Sequence, residues 1–182
     1  MDRACATFHL NTSQILTSEV AGAFPVTNSY GSINTFRNDF TWNNVDFKTI
    51  LGDMYDKYDK FNISLAFITF GATAAQYGAF AIDRTLMLNI GGLAFNNCAY
   101  NTLTNSNNSS ASIGTFTLGA NALAGSFNFT NDMNTITIEK PKNMVNLRLF
   151  YTRYDTAVPA TANMYPAMDF FFHVYGVAET EQ

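Results

Sequence analysis

The stretch from Thr41 to Phe70 reads Thr-Trp-Asn-Asn-Val-Asp-Phe-Lys-Thr-Ile-Leu-Gly-Asp-Met-Tyr-Asp-Lys-Tyr-Asp-Lys-Phe-Asn-Ile-Ser-Leu-Ala-Phe-Ile-Thr-Phe. Its two halves follow different periods. In the first, Val45, Ile50, Leu51 and Met54 recur at three-to-four spacing, and Gly52 interrupts them. That predicts a short helical turn used as a cap, too brief to be stable alone. In the second, Phe61, Ile63, Leu65, Phe67 and Thr69 share one face of an extended strand, with Asn62, Ser64, Ala66, Ile68 and Phe70 on the other. Tyr55, Tyr58 and Phe61 lie between, at every third residue, interleaved with Asp53, Asp56, Lys57, Asp59 and Lys60. The densest charge cluster of the chain thus introduces one of its most apolar strands. One reading is a solvated connection that feeds a core strand. The sharper reading is an ordered corner docked on a neighbouring subunit, since tyrosines are frequent interface anchors. Its contact residues would be Asp53, Tyr55, Asp56, Lys57, Tyr58 and Lys60.

Outward from this stretch, the period of two recurs. Ala4–Leu10 alternates and stops at Asn11-Thr12-Ser13. Ile33–Trp42 reads as one strand with Phe36, Phe40 and Trp42 facing inward. Thr85–Leu93, Ile113–Leu118, Phe127–Thr130, Asn134–Lys140 and Met144–Thr152 follow; Val145, Leu147, Leu149 and Tyr151 share one face of the last. Met168–Val177 is so continuously apolar that it predicts a central strand buried on both faces. Between these runs lie passages rich in Gly, Ala, Asn, Ser or Pro, among them Ala99–Ser112 and Tyr154–Pro166. About eight to ten short strands with long connections predict an all-β chain, a β-sandwich or barrel, with at most one or two short helical turns; the long loops fit a jelly-roll sandwich better than an up-and-down barrel. The domain is one, residues 1–182, with its core at 4–177 and an acidic tail at 178–182.

Composition narrows the function. Of the 182 residues, 47% are hydrophobic and 15% aromatic, but only 13% are charged, about half of the roughly 25% usual in soluble domains. No Asp, Glu, Lys or Arg occurs from Thr85 to Asn131. A chain that hides surface against copies or partners needs less charge than a free monomer. The net charge is −4, and no basic run exists to neutralise a phosphate backbone, which disfavours direct nucleic-acid binding. Asn62–Ile82 is uncharged and long enough to span a bilayer, yet its polar residues and strand alternation predict no membrane span. Cys5 and Cys98 form no CxxC pair; they are either free thiols of a reducing compartment or one bridge, and so small a number favours free thiols.

No catalytic constellation is visible: there is no GxSxG, no phosphate-cradling glycine loop and no HExxH. The chain is expected to be no enzyme and to hold no cofactor and no metal. His9 and His173 sit within strand-like runs; even as neighbours they supply two ligands, too few for a good site. Asp53, Asp56 and Asp59 lack the glycine and glutamate of an EF-hand loop. A glycan-binding alternative, a secreted lectin-like or trimeric signalling sandwich, would use Trp42, Tyr100, Tyr151 and Tyr165 as stacking platforms, with Asn-x-Ser/Thr triplets at Asn11, Asn62, Asn107, Asn108 and Asn128.

Two segments resemble a known family. Trp42-Asn43-Asn44-Val45-Asp46-Phe47-Lys48-Thr49-Ile50-Leu51-Gly52-Asp53-Met54-Tyr55-Asp56-Lys57-Tyr58-Asp59-Lys60-Phe61-Asn62-Ile63 resembles a stretch in small capsid proteins of large icosahedral DNA viruses. Phe170-Phe171-Phe172-His173-Val174-Tyr175-Gly176-Val177 resembles their last strand, with its aromatic-Tyr-Gly-aliphatic ending. The resemblance implies a single jelly roll in a penton or minor capsid role, assembling with copies of itself and beside a double jelly-roll major capsid protein. It implies a place in the virion, with assembly in the host cytoplasm, and brings no catalytic residues.

Overall fold

The computed structural model describes residues 4–15, 27–33, 39–71, 84–97, 110–118, 124–128, 135–153 and 167–178. Twelve strands occur among them: β1 (Cys5–Asn11), β2 (Thr27–Asn28), β3 (Gly31–Ile33), β4 (Asp39–Asp46), β5 (Lys60–Gly71), β6 (Arg84–Gly91), β7 (Phe95–Asn97), β8 (Ser110–Leu118), β9 (Ala124–Asn128), β10 (Thr135–Glu139), β11 (Met144–Arg153) and β12 (Ala167–Val177). Two short helices, α1 (Phe47–Leu51) and α2 (Met54–Lys57), link β4 to β5. One antiparallel sheet runs β1-β12-β5-β10-β7, with β9 also paired to β5; the other runs β2-β3-β4-β11-β6-β8. The fold is an all-β sandwich.

Alternation builds the core as the sequence predicts. Ile136 and Ile138 of β10, and Val145, Leu147, Leu149 and Tyr151 of β11, turn inward and are buried. Phe40 and Trp42 of β4 meet Phe170 of the opposite sheet at 6.2 Å each, Trp42 edge-on and Phe40 tilted. Tyr151 closes on Phe40 edge-to-face at 6.0 Å, and its hydroxyl lies 2.9 Å from Met168 Sδ. Each fully buried ring or branched chain contributes about 1.5–3 kcal/mol. An exposed ion pair contributes about 0–1 kcal/mol, so these inner faces hold the sheets together. The half-buried pair of Arg148 and Asp39, two parallel bonds across β11 and β4, adds geometric specificity as well as energy.

Three expectations are corrected. Ile33–Trp42 is not one strand: β3 and β4 pair antiparallel, Ile33 opposite Phe40 and Gly31 opposite Trp42, so its two ends are arms of a hairpin. Period two is the same in both arms and cannot show that the chain reverses. The alternation of β5 does not run unbroken either. Opposite β12, Phe171 pairs with Phe67 and Phe172 with Leu65, leaving Ala66 as an extra residue. This bulge switches the buried face from Phe61, Ile63 and Leu65 to Ile68. Lastly, β12 is central, bonded to β1 and β5, but among its described side chains only Met168, Phe170, Phe172 and Val174 are buried. Its other face is half-buried, with Phe171 stacked between Phe67 at 4.0 Å and His9 at 4.6 Å.

Two further strands begin earlier than expected: β8 at Ser110 and β9 at Ala124, inside passages read as loops. Phe36, Cys98, Tyr100, Asn107, Asn108, Tyr165 and tail residues 179–182 lie outside the described residues.

Candidate assembly surface

The corner between β4 and β5 is built residue by residue. Val45 of β4 pairs with Val145 and Trp42 with Leu147, so Asn43 and Asn44 together oppose Asn146. Asn44 takes φ of 56°, a left-handed conformation that asparagine tolerates well, and its N–H donates to Asn146 Oδ1 at 3.1 Å. Pairing resumes past the bulge and β4 ends at Asp46, whose carboxylate caps α1: it accepts from the Thr49 N–H at 3.0 Å and from the Thr49 hydroxyl at 2.8 Å. These bonds, the backbone one foremost, hold the Asp46 carboxyl below its ordinary range. Phe47 is fully buried beneath Phe8, ring centres 5.8 Å apart. Gly52, at φ of 53°, ends the turn where a side chain would be strained. The short helical cap predicted from Val45, Ile50, Leu51 and Met54 is thus present as α1 and α2, with Leu51 and Met54 buried and Val45 and Ile50 packed half-buried against the core.

The six candidate interface residues divide into two groups. Tyr55 and Tyr58 fold back. The Tyr55 hydroxyl donates to the Pro141 carbonyl at 3.0 Å, and Lys140 Nζ sits 5.0 Å above its ring. Tyr58 meets Phe61 edge-on at 6.3 Å and lies against Gly176 of β12. Both tyrosines pack half-buried on the chain's own core. Asp53, Asp56, Lys57 and Lys60 are exposed and form no ion pair among the described residues. Asp59 stands 4.0 Å from Lys140 Nζ, while its carbonyl accepts the Lys140 N–H at 2.7 Å. The corner is therefore an ordered mount of aromatic rings that displays four charges.

A second cluster escaped the sequence reading. On the outer face of the first sheet, Asp169 accepts from His9 Nε2 at 2.8 Å, from Asn11 Nδ2 and from Thr69 Oγ1 at 3.3 Å. One carboxylate thus ties three strands together. The signal was present: Asp169 is the one charge in an otherwise uncharged run, and such a group requires partners. His173, two residues out of register with His9, instead has its Nδ1 4.0 Å from Cys5 Sγ. The two histidines keep different partners and form no common site. No group of three or more His, Cys, Asp or Glu able to hold a metal occurs among the described residues. No helix among them is long and apolar enough to cross a membrane.

The glycan platforms fare differently. Trp42 and Tyr151 are 3% and 1% exposed, which removes them as stacking surfaces. Cys5 carries a free, exposed thiol. The chain matches no family model, and a search of curated proteins finds no relative.

Proposed function

We propose that this chain is a structural subunit of an icosahedral viral shell, a penton or minor capsid component that assembles with copies of itself and with the major capsid protein, within the virion and from the host cytoplasm. One observation carries the reading. The two segments that resemble small capsid proteins, residues 42–63 and 170–177, meet in space where Tyr58 lies on Gly176. They form one unit of structure, with its charges turned outward.

The strand order supports the jelly-roll form. The order β1-β12-β5-β10 packs against β4-β11-β6-β8, as when two interleaved Greek keys close a sandwich. In such a subunit function lies in corners and edges, not in a catalytic cleft. Low charge keeps like-charge repulsion small when copies pack closely. The exposed Cys5 thiol would stay reduced in the host cytoplasm where such a subunit assembles.

Native mass spectrometry with negative-stain imaging of the purified chain tests the proposal. A homo-oligomer with ring symmetry, fivefold for a penton, is expected. A trimer that binds immobilised glycans would replace it with the lectin-like reading.

A further inference from the structure

A groove of about 740 Å³ runs beside the charged corner, between the connection from β10 to β11 and the turn from β6 to β7. Lys140 and Lys142 line it with Leu93, Met144, Asn44 and Asn146. Its surface is open: Lys142, Asn44 and Asn146 are exposed, and the apolar Met144 is 50% exposed. The backbone that carries the two lysines is pinned. The Lys140 N–H donates to the Asp59 carbonyl at 2.7 Å, the Tyr55 hydroxyl to the Pro141 carbonyl at 3.0 Å, and the Phe47 N–H to the Asn143 carbonyl at 2.9 Å. Pro141 also biases Lys140 toward an extended conformation, which sets the two lysines about 6–7 Å apart along the chain.

The strand register brings the end of β12 to the same edge. Val177 pairs with Lys60, and Lys60 pairs with Glu139. Ala178 and Lys140 are therefore the next residues past one rung of the sheet, on the two strands that flank β5. Two strand spacings separate them, about 10 Å. Glu179 and Glu181 follow in the sequence, outside the described residues. From Ala178 to Glu181 an extended chain covers about 10 Å, and the two glutamates have the same two-residue spacing as the two lysines. Asp59 stands 4.0 Å from Lys140 Nζ with its side chain largely exposed. An ammonium carries three donors, so this loose contact leaves room for a second carboxylate.

We infer that the groove is the docking site of this chain's own acidic tail, with Glu179 and Glu181 paired to Lys140 and Lys142. Exposed ion pairs are weak one by one. A short tether gives the tail an effective concentration in the millimolar range, which populates the contact without a large interface. Docking of the tail does not require the corner to be an assembly contact.

The test is limited cleavage of the full chain by a glutamate-specific protease, with the Met144 methyl followed by NMR. Cleavage after Glu179 and Glu181 should be slower in the wild type than in Lys140→Gln/Lys142→Gln by about three-fold or more, at rates independent of protein concentration. The difference should vanish in high salt. The Met144 methyl should shift in Glu179→Gln/Glu181→Gln, which removes the two charges and keeps the chain length. Equal cleavage of the wild type and the lysine variant, or a Met144 methyl indifferent to the glutamates, would overturn the inference. Protection that survives in the lysine variant and is lost in Lys60→Gln would overturn it by placing the tail on β5. Protection that grows with protein concentration would overturn it by giving the groove to the tail of a second copy.

Discussion

Tyr58 lies directly on Gly176: a β-carbon added to that glycine would sit 2.4 Å from Tyr58 Cδ2, 2.5 Å from Cε2 and 2.6 Å from Cγ. The corner before β5 is therefore seated on the last strand, and the glycine is required by close approach of a ring. Gly176→Ala should destabilise the chain by about 1–3 kcal/mol, since the ring must move to make room. In urea unfolding, Tyr58→Ala should suppress most of that added cost, because it removes the atoms in conflict. Additive costs would show that the two residues are not coupled.

Tyr55 makes a separate anchor. Its hydroxyl satisfies the carbonyl of Pro141, a buried residue in the connection from β10 to β11. Tyr55→Phe keeps the ring under Lys140 and removes only the donor. A loss of about 1 kcal/mol is expected by chemical denaturation, with Tyr55→Ala costing more. Equal losses for the two variants would mean that the hydroxyl is the whole contribution.

Acid should loosen the corner through Asp46. Its carboxyl is held below the ordinary value of 3.8 mainly by the Thr49 N–H, with help from the Thr49 hydroxyl. The folded chain binds that proton less readily than the unfolded chain. The stabilisation is complete above the ordinary value and is lost as pH falls through the lowered one. Unfolding curves from about pH 6 down to about pH 2 should show a wild-type advantage over Asp46→Ala that shrinks with acidification. An advantage that grew toward low pH would reverse the assignment.

Asp169 predicts a different cost. Asp169→Ala leaves His9, Asn11 and Thr69 without a shared acceptor on a partly covered face. The expected loss is about 1–3 kcal/mol, and amide exchange should rise first in β1, which has its only strand partner in β12 among the described residues. Uniform acceleration across both sheets would point to a global effect.

Much of this was legible because period two survives in the strands that carry the core. Ile136, Ile138, Val145, Leu147 and Leu149 are buried where alternation places them. The cap was legible because Gly52 breaks a short three-to-four pattern between apolar residues. What was hidden depends on three dimensions. A bulge at Ala66 exchanges the faces of β5 with no change in composition. The reversal between Ile33 and Phe40 leaves the alternation untouched. The division of the corner into packed tyrosines and displayed charges follows from Pro141 and Gly176, far away in sequence.

The most direct test of the assembly claim is sedimentation of the wild type beside Lys57→Glu/Lys60→Glu, which reverses two displayed charges and leaves the Tyr55 and Tyr58 contacts in place. A wild-type oligomer that falls to monomer in the variant, with unfolding midpoints unchanged, is the predicted result. A wild type that stays monomeric at high concentration, or an oligomer indifferent to both reversals, would contradict the assignment of this corner as the assembly contact.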